Sequence, residues 1–385
     1  MTPRRSLVCA AILGFVGFVT SFGAHIVAVN LPFYAERIGI GLAMIGLLIA
    51  AYDLAEIISK PIFGALADRQ GMKRTMLIGI VVFIAASLLY LVIDPRWLLA
   101  VRFLQGIGAA ALSAVSLALV GVYYRQERGR AFGVYNALKG AGYVVSPLLG
   151  GLIVARQNFS GIFIASAGVG VLALLLSLAL PSETDASSGT LDDDDDFSMR
   201  SFLAVFREPQ ILPWYAVTVV NMFFIGILFG FLPVRAHALG LTPAASGLLL
   251  SAVSLAYVVI QPLAGMLADR LSPGLTIRLG LLLAGVAVIA VPFVQGSALV
   301  ATALVAGLAV GTVWTNTDTL ISTLAREGRL GATMGAAGSF KELGDMVGPI
   351  LIGVVSQTFG LTVGFVSCGL LGLIVLALIL RVRLR

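Results

Sequence analysis

Residues 61–69 read PIFGALADR, and residues 262–270 read PLAGMLADR, 201 positions further along the chain. The two stretches carry proline, glycine, leucine, alanine, aspartate and arginine at matching positions. Two further proline pairs follow almost the same offset: Pro32 with Pro233, and Pro147 with Pro349. Three separated matches at nearly one offset are hard to obtain by chance, so the sequence predicts two related halves.

The composition of the chain is typical of a membrane protein. Of its 385 residues, 59% are hydrophobic and 11% are charged, and the mean hydropathy is +1.03, whereas soluble domains carry about a quarter charged residues. Nucleic acid is not expected as a partner despite the net charge of +6, because the basic residues lie in short loops between apolar runs, as membrane orientation signals do. Cys9 and Cys368 fall in apolar stretches, which argues against a disulfide framework or a cysteine-based metal site.

Twelve apolar stretches are long enough to span a bilayer, which takes roughly 20 residues in a helix. They lie at about 7–29, 43–67, 75–93, 97–121, 131–155, 160–180, 211–232, 244–268, 276–294, 298–321, 332–356 and 359–380. With six spans each, both halves enter from the same side, which predicts a parallel repeat and a solute path where the halves meet. The predicted fold is an all-α integral membrane protein of two pseudo-symmetric six-helix bundles, residues 1–181 and 210–385.

The segment 182–209 between the halves is polar and contains five consecutive aspartates at 192–196. This run could bind a cation or a partner, but a solvated cytoplasmic linker is the favoured interpretation. With the N-terminus inside, seventeen Lys and Arg residues fall on the cytoplasmic side and four on the outside, which predicts that both termini are cytoplasmic. The first apolar run is longer than the ~7–15 residues of a signal-peptide core, so we expect it to be retained as a helix.

Nine ionisable residues fall within the predicted spans, where each costs about 2.5–3.5 kcal/mol on insertion scales. They are Asp53, Glu56, Lys60, Arg102, Lys139, Asp318, Lys341, Glu342 and Asp345. We expect them to face a central cavity or one another. The predicted proton-coupling residues are Asp53, Glu56, Arg102, Asp318, Glu342 and Asp345.

Asp53, Glu56 and Lys60 lie on one helical stripe. The repeat counterparts of the two acids are Ser254 and Tyr257, so the acid pair is particular to the first half. Two carboxylates about one turn apart in a low dielectric do not both ionise readily. We therefore expect Asp53 or Glu56 to carry a coupled proton. The alternative is a Glu56–Lys60 ion pair that only fixes the helix.

Lys139 and Lys341 are repeat partners, 202 positions apart. They could flank the cavity, pair with Glu342 or Asp345, or bind an anionic group of a substrate, and the alternative is a static Lys341–Asp345 pair. Arg102 keeps its proton at ordinary pH and is expected to tune a nearby carboxylate. A lone histidine is more often a packed residue than a titrating one. The predicted substrate-cavity residues are His25, Asn30, Asn136, Lys139, Trp314 and Lys341.

Residues 64–74 read GALADRQGMKR, in which Gly64 and Gly71 permit a close approach and a tight turn. This stretch resembles the signature loop that follows the second helix in the major facilitator superfamily, and residues 269–270 resemble its degenerate second copy. A charge cluster at this position can latch one conformation and release it in another, whereas the simpler alternative is a basic loop that sets topology. The predicted conformational-switch loop comprises Gly64, Asp68, Arg69, Gly71, Lys73, Arg74, Asp269 and Arg270.

The fifth predicted span resembles the antiporter signature of drug:proton exporters, Gly-x8-Gly-x3-Gly-Pro-x2-Gly-Gly, with Ser146 in place of the third glycine. The matching residues are Gly133, Gly142, Pro147, Gly150 and Gly151. Residues 102–110, RFLQGIGAA, are similar to the superfamily's buried-arginine signature. The resemblance implies a twelve-helix exporter in the cytoplasmic membrane, coupled to protons and without a cofactor. In physical terms, the glycines and Pro147 allow close helix packing and bending.

Three functions are compared on these observations. The first is proton-driven export of amphipathic or drug-like molecules, and the second is proton-coupled transport of one metabolite, such as a sugar, an organic acid or a siderophore. The third, a membrane enzyme or receptor, is disfavoured because the sequence shows no nucleotide loop, metal-ligand cluster or Ser/His/Asp set. The expected partners are a small-molecule substrate, protons and lipid, and the chain is expected to be a monomer.

Overall fold

The computed structural model describes residues 3–123, 128–156, 158–181, 210–270, 272–325 and 330–381. Within these ranges the regular elements are helical. The α-helices are α1 (Pro3–Ala28), α2 (Leu31–Ile38), α3 (Leu42–Gln70), α4 (Met72–Leu89), α5 (Leu98–Tyr123), α6 (Arg128–Ala155), α7 (Phe159–Leu178), α8 (Leu212–Gly226), α9 (Leu232–Ala238), α10 (Pro243–Arg270), α11 (Pro273–Ala290), α12 (Gly296–Leu324), α13 (Leu330–Phe359) and α14 (Leu361–Leu380). Short 3₁₀ turns occur at Pro95–Trp97 and Val291–Phe293.

Each of the twelve predicted spans is occupied by a helix, which confirms the predicted fold class. In the described part of the chain, eleven helices are long and apolar enough to cross a membrane by length and composition. The twelfth, α13, has 30 residues and is more polar because it carries Lys341, Glu342 and Asp345.

Two local features were not predicted from the sequence. The short helix α2 follows the first span, and a π-helical segment, Ile227–Phe231, joins α8 to α9. The predicted linker 182–209 lies outside the described residues, so it stays a prediction.

The helices cluster into two compact units. The first unit contains α1, α2 and α4 to α7, most of α3, and the segment Thr242–Ser251 at the start of α10. The second unit contains α8, α9 and α11 to α14, the rest of α10, and the segment Ile40–Leu47 at the start of α3. The predicted bundles divide the chain once, between residues 181 and 210. The two units depart from this division at two places, because the start of α3 clusters with the second unit and the start of α10 clusters with the first.

Glycines allow close contact between backbones at the two segments Ile40–Leu47 and Thr242–Ser251. In the first unit, a methyl group on Gly247 would overlap the carbonyl oxygen of Pro147 on α6. In the second unit, a methyl group on Gly46 would overlap the carbonyl oxygen of Pro349 on α13. The two glycines are 201 positions apart and the two prolines 202, so the sequence repeat preserves one packing contact in both units.

A buried arginine ties together three helices of the first unit, α1, α3 and α5. Arg102 on α5 is 2% exposed. Its Nε donates to the carbonyl of Leu48 at 3.2 Å, and its Nη2 donates to the carbonyl of Ala24 at 3.0 Å. Its Nη1 donates to Oε1 of Gln105 at 2.9 Å, and its guanidinium lies 4.4 Å from the centre of the Tyr52 ring.

The hydrogen-bond chain continues from Gln105 to two further helices. Oε1 of Gln105 also accepts from the Tyr90 hydroxyl at 3.3 Å, and its Nε2 donates to Oγ of Ser87 at 3.2 Å. Ser87 and Ser166 hydroxyls lie 3.2 Å apart. Because the charge of Arg102 is spread over carbonyls, an amide and an aromatic face, burial does not leave its guanidinium without partners.

We expect Gly247→Ala to lower the stability of the protein. The added methyl group must displace the Pro147 carbonyl, and overpacking of this kind costs about 1–3 kcal/mol. Thermal unfolding in one fixed detergent should therefore begin several degrees lower than in the wild type. Gly168 on α7 provides the matched control, because a methyl group there would meet no atom of the described part of the chain within 4 Å. Gly168→Ala should melt at or above the wild-type temperature, and equal melting of both variants would contradict the described contact.

We expect Arg102→Lys to be less stable than Arg102→Met. Lysine keeps a buried charge but cannot reach three separate acceptors at once, whereas methionine removes the charge together with its desolvation cost. The difference should be about 1–3 kcal/mol, the cost of leaving a charged donor unsatisfied. Melting temperatures in the same detergent measure it. A lysine variant that melts above the methionine variant would show that the charge itself, rather than the guanidinium geometry, holds the helices.

Candidate functional site

The acidic stripe predicted on α3 contains an ion pair within the helix, between Glu56 and Lys60, and a second carboxylate, that of Asp53. Nζ of Lys60 lies 2.6 Å from Oε2 of Glu56, and the Glu56 side chain is 13% exposed. Asp53 is half-buried, one turn earlier on the same helix. Lys139 on α6 is close enough for the charges of Glu56 and Lys60 to act on it. The structure therefore brings together four of the predicted residues in the first unit.

His25 on α1 is held by its surroundings. Its Nδ1 lies 3.0 Å from the carbonyl of Ser21, so this nitrogen carries the ring proton when it donates. The ring packs edge-on against Tyr143, with the centroids 4.5 Å apart. These contacts agree with the interpretation of His25 as a packed residue, and a role in the substrate cavity stays a prediction.

The second ion pair of the site joins two helices of the second unit. Nζ of Lys341 on α13 lies 2.6 Å from Oδ2 of Asp318 on α12. The same Nζ lies 4.4 Å from the centre of the Trp314 ring, and this ring meets Tyr257 edge-on at 6.1 Å. The sequence pointed to Glu342 or Asp345 as partners of Lys341, whereas the ion pair in the structure is with Asp318.

A narrow, closely packed cleft surrounds this pair. Its lining comes from α8, α12 and α13 and consists of Thr218, Asn221, Met222, Trp314, Thr317, Asp318 and Lys341. Sequence reasoning missed Thr218 and Asn221 as lining residues. The signal that could have found them is the presence of polar side chains within otherwise apolar spans.

Several polar oxygens at this cleft accept no hydrogen bond within the described part of the chain. They are Oδ1 of Asp318, Oδ1 of Asn221 and Oγ1 of Thr317. Asn221 is 1% exposed and Thr317 is 2% exposed. Buried oxygens without a partner are uncommon, because each costs about 1–3 kcal/mol.

The predicted antiporter signature forms a packing seam on α6. A methyl group on Gly142 would lie 2.8 Å from the carbonyl of Phe18 on α1, and one on Gly150 would overlap the side chain of Asn30. Gly151 makes the same kind of close approach to the backbone at Pro243, while among the described residues no atom lies within 4 Å of such a methyl group on Gly133. Close packing therefore explains Gly142, Gly150 and Gly151 but not Gly133.

Lys73, a residue of the predicted switch loop that lies in the first turn of α4, is bound to the end of α7. Nζ of Lys73 donates to the carbonyls of Leu178, at 3.0 Å, and Leu180. Gly71 has a φ of 92°, a conformation that glycine adopts without strain. In the second unit, Nη2 of Arg278 donates at 3.0 Å to the carbonyl of Ile379, the repeat counterpart of Leu178. Basic side chains thus cap the last turns of α7 and α14.

The remaining predicted residues are placed as follows. The exposed ones are Arg69, Arg74, Arg270 and Asn136, and the half-buried ones are Gly64, Glu342 and Asp345. Asn30 is buried, and its Nδ2 donates to the carbonyl of Ile26 at 2.8 Å. The side chains of Asp68 and Asp269 lie outside the described residues, so their predicted latch stays a prediction. In the described ranges, no three His, Cys, Asp or Glu side chains are grouped to hold a metal ion.

The comparisons with known proteins cover nearly the whole chain. The model of the Major Facilitator Superfamily matches residues 13–234 and 214–385. The multidrug resistance protein Stp of Mycobacterium tuberculosis is 26% identical over 91% of this chain and 76% of its own length. The puromycin resistance protein pur8 of Streptomyces alboniger is 36% identical over 47% of this chain and 36% of its own length.

A solved structure shows the same fold. It is a bacterial homologue of the human lysosomal transporter Spinster, which superposes with a TM-score of 0.85 at 16% identity and covers 98% of this chain and 96% of that one. This likeness concerns the fold, and the family is shown by the match of the family model over residues 13–234 and 214–385. The chain is a multi-pass membrane protein that belongs to the major facilitator superfamily.

Proposed function

We propose that this chain is a secondary active transporter that exports amphipathic or drug-like small molecules and couples their export to the inward movement of protons. Transport by alternating access, rather than catalysis, is the activity. The proton is the coupling ion, and no organic cofactor takes part.

The observation that carries this proposal is a pair of carboxylate–lysine contacts within the apolar helices of both units. Glu56 pairs with Lys60 on α3, and Asp318 pairs with Lys341 across α12 and α13. All four side chains are at most 27% exposed. Ionisable groups at such positions are costly and mark ion and proton pathways in transporters.

Protonation gives these pairs a function. A protonated carboxyl group no longer attracts its lysine as an ion, so the pair is weakened at the moment when the proton binds. A proton that moves inward releases about 2.3 kcal/mol per 100 mV of membrane potential. A tenfold concentration of a neutral solute requires about 1.4 kcal/mol, so one proton per molecule suffices for accumulation of this order.

The named relatives support an amphipathic or drug-like substrate. Stp is a multidrug resistance protein and pur8 a puromycin resistance protein, and this chain shares the superfamily with both. The alternative is coupled transport of one metabolite, such as a sugar, an organic acid or a siderophore. Saturable transport of one such compound, with no transport of dyes, would replace the first proposal by this alternative.

The proposed location is the cytoplasmic membrane, with both termini in the cytoplasm. The support is the distribution of Lys and Arg, seventeen on the proposed cytoplasmic side against four outside. A monomer is the proposed working unit, since each chain contains both halves of the repeat.

We expect Glu56→Gln, Asp53→Asn and Asp318→Asn to uncouple transport from the proton gradient. An amide keeps the size of the side chain but cannot take up or release a proton. In inside-out vesicles with an acidic lumen, the initial rate of accumulation of a fluorescent dye should fall at least about tenfold in a variant that loses a coupling group, as for other essential proton-transfer groups. Exchange of dye down its own gradient should persist in Asp53→Asn and Glu56→Gln.

Asp94 is the matched carboxylate control. The side chain and backbone amide of Arg96 hold the pKa of the Asp94 carboxyl at about 2, so Asp94 stays ionised throughout the pH range of transport. Asp94→Asn should therefore leave the dye rate and its pH profile unchanged. If Asp53→Asn, Glu56→Gln and Asp318→Asn all retain full gradient-driven transport, the proton-coupling assignment is wrong.

A further inference from the structure

The surroundings of the Lys341 ammonium have the components of a binding site for an organic cation. Asp318 supplies a carboxylate at 2.6 Å, and the face of Trp314 lies 4.4 Å from the nitrogen. Aromatic faces attract cations at about this distance, and a partly desolvated carboxylate adds a charged acceptor. Lys341 is thus a cation bound by its own protein.

The cleft contains more hydrogen-bond acceptors than Lys341 uses. Oδ2 of Asp318 accepts from Lys341, while Oδ1 of Asp318 accepts no bond within the described residues. The amide nitrogen of Asn221 donates to the carbonyl of Val310 at 3.4 Å, so Oδ1 is the atom of this amide that has no partner there. The Thr317 hydroxyl adds a third buried oxygen. These acceptors fit a ligand that brings N–H groups.

Lys341 can leave this site without rearrangement of the backbone. Its ammonium stands at the end of a flexible four-carbon chain, and its side chain is 20% exposed. Asp318 and Trp314 belong to α12, whereas Lys341 belongs to α13, so the cation and its acceptors are carried by different helices. Departure of the ammonium leaves a space that matches a short alkyl ammonium group.

We propose that Asp318, Trp314, Asn221 and Thr317 form a binding site for the protonated amine of an amphipathic molecule, and that Lys341 is a tethered competitor for this site. The ligand class is a primary or secondary ammonium with an apolar body. Its N–H groups bond to the carboxylate and the neutral oxygens, while its apolar part contacts Trp314 and Met222.

Two other ligand classes fit the cleft less well. A quaternary ammonium has the charge but no N–H group, so it leaves the buried oxygens without donors. An anion would bind Lys341 at 2.6 Å from the Asp318 carboxylate and would face further acceptor oxygens instead of donors. The chemistry of the lining therefore favours a donor-bearing cation.

The inference concerns binding, and only its consequence for transport rests on the proposed function. An amine that displaces Lys341 breaks the ion pair between Asp318 on α12 and Lys341 on α13. Selectivity among amphipathic substrates would then depend on how well each competes with the lysine.

The test is chemical rescue of a lysine-deleted variant. Lys341→Ala removes the tethered cation and leaves the Asp318 carboxylate without it. Propylammonium, added as its chloride, should raise the melting temperature of purified Lys341→Ala in detergent and should bind it at least about tenfold more tightly than the wild type, where it must displace Lys341. Tetramethylammonium chloride at the same concentration should give no comparable increase, which also controls for ionic strength.

Two variants make the result specific. Lys60→Ala also deletes the lysine of a 2.6 Å ion pair, but Glu56 and Lys60 do not belong to the lining of the cleft around Asp318, so propylammonium should not rescue it. The double variant Lys341→Ala, Asp318→Asn should lose the response. If Lys341→Ala does not fold, Lys341→Met provides the same test with the stem volume retained, and wild-type binding of phenethylammonium against phenyltrimethylammonium provides it without any substitution.

The proposal is overturned if Lys341→Ala and Lys341→Met show no preference for propylammonium over tetramethylammonium. It is also overturned if sodium acetate, rather than propylammonium, stabilises the wild type, since Lys341 would then be the ligand-binding group. Because these measurements need no membrane gradient, their failure is distinguishable from a failure of proton-driven dye transport. Amine binding without coupled transport would retain this inference and contradict the proposed function.

Discussion

A charge inside an apolar helix must have a partner, and this constraint decides where the chemistry of this protein can lie. Arg102 meets it with three hydrogen bonds and an aromatic ring. Glu56 and Asp318 meet it with one lysine each. The hydrogen bonds of Arg102 and the two carboxylate–lysine ion pairs differ in how easily they break. A guanidinium that stays protonated and is bonded on three sides is fixed, whereas a carboxylate that takes up a proton loses its ion pair. The network of Arg102 is therefore suited to hold helices, and the two carboxylate–lysine pairs are suited to change.

The sequence repeat preserves packing contacts in both units but does not preserve the acid pair of α3. Gly46 with Pro349 and Gly247 with Pro147 preserve a backbone contact at nearly one offset. In both units a basic side chain also caps the last turn of the final helix, α7 or α14. The capping residues, Lys73 and Arg278, are not at matching positions of the repeat. The acid pair within α3 is not preserved, since Ser254 and Tyr257 stand where the first half has Asp53 and Glu56. Packing contacts are thus repeated in both units, whereas Asp53 and Glu56 are particular to the first.

How much the sequence could predict depends on the range of each interaction. The helices were located from hydropathy alone, because a span of about 20 apolar residues has one stable form in lipid. The Glu56–Lys60 pair could be anticipated because residues four apart on a helix are neighbours. The Asp318–Lys341 pair was missed, since its partners lie on different helices and their meeting depends on how α12 and α13 pack. The π-helical segment Ile227–Phe231 was missed because its apolar sequence does not distinguish it from an ordinary helical turn.

The two ion pairs also differ in what their separation can do. Glu56 and Lys60 belong to one helix, so protonation of Glu56 breaks an ion pair within α3. Asp318 and Lys341 connect α12 to α13, and their separation removes an attraction between two helices. A ligand or a proton can shift a conformational equilibrium only if it interacts differently with the two states. Of the two pairs, only the one between helices provides that difference directly, because its geometry depends on the relative position of α12 and α13. Binding energy at Asp318 can therefore be converted into helix movement, whereas charge at Glu56 acts through the field that it exerts on Lys139.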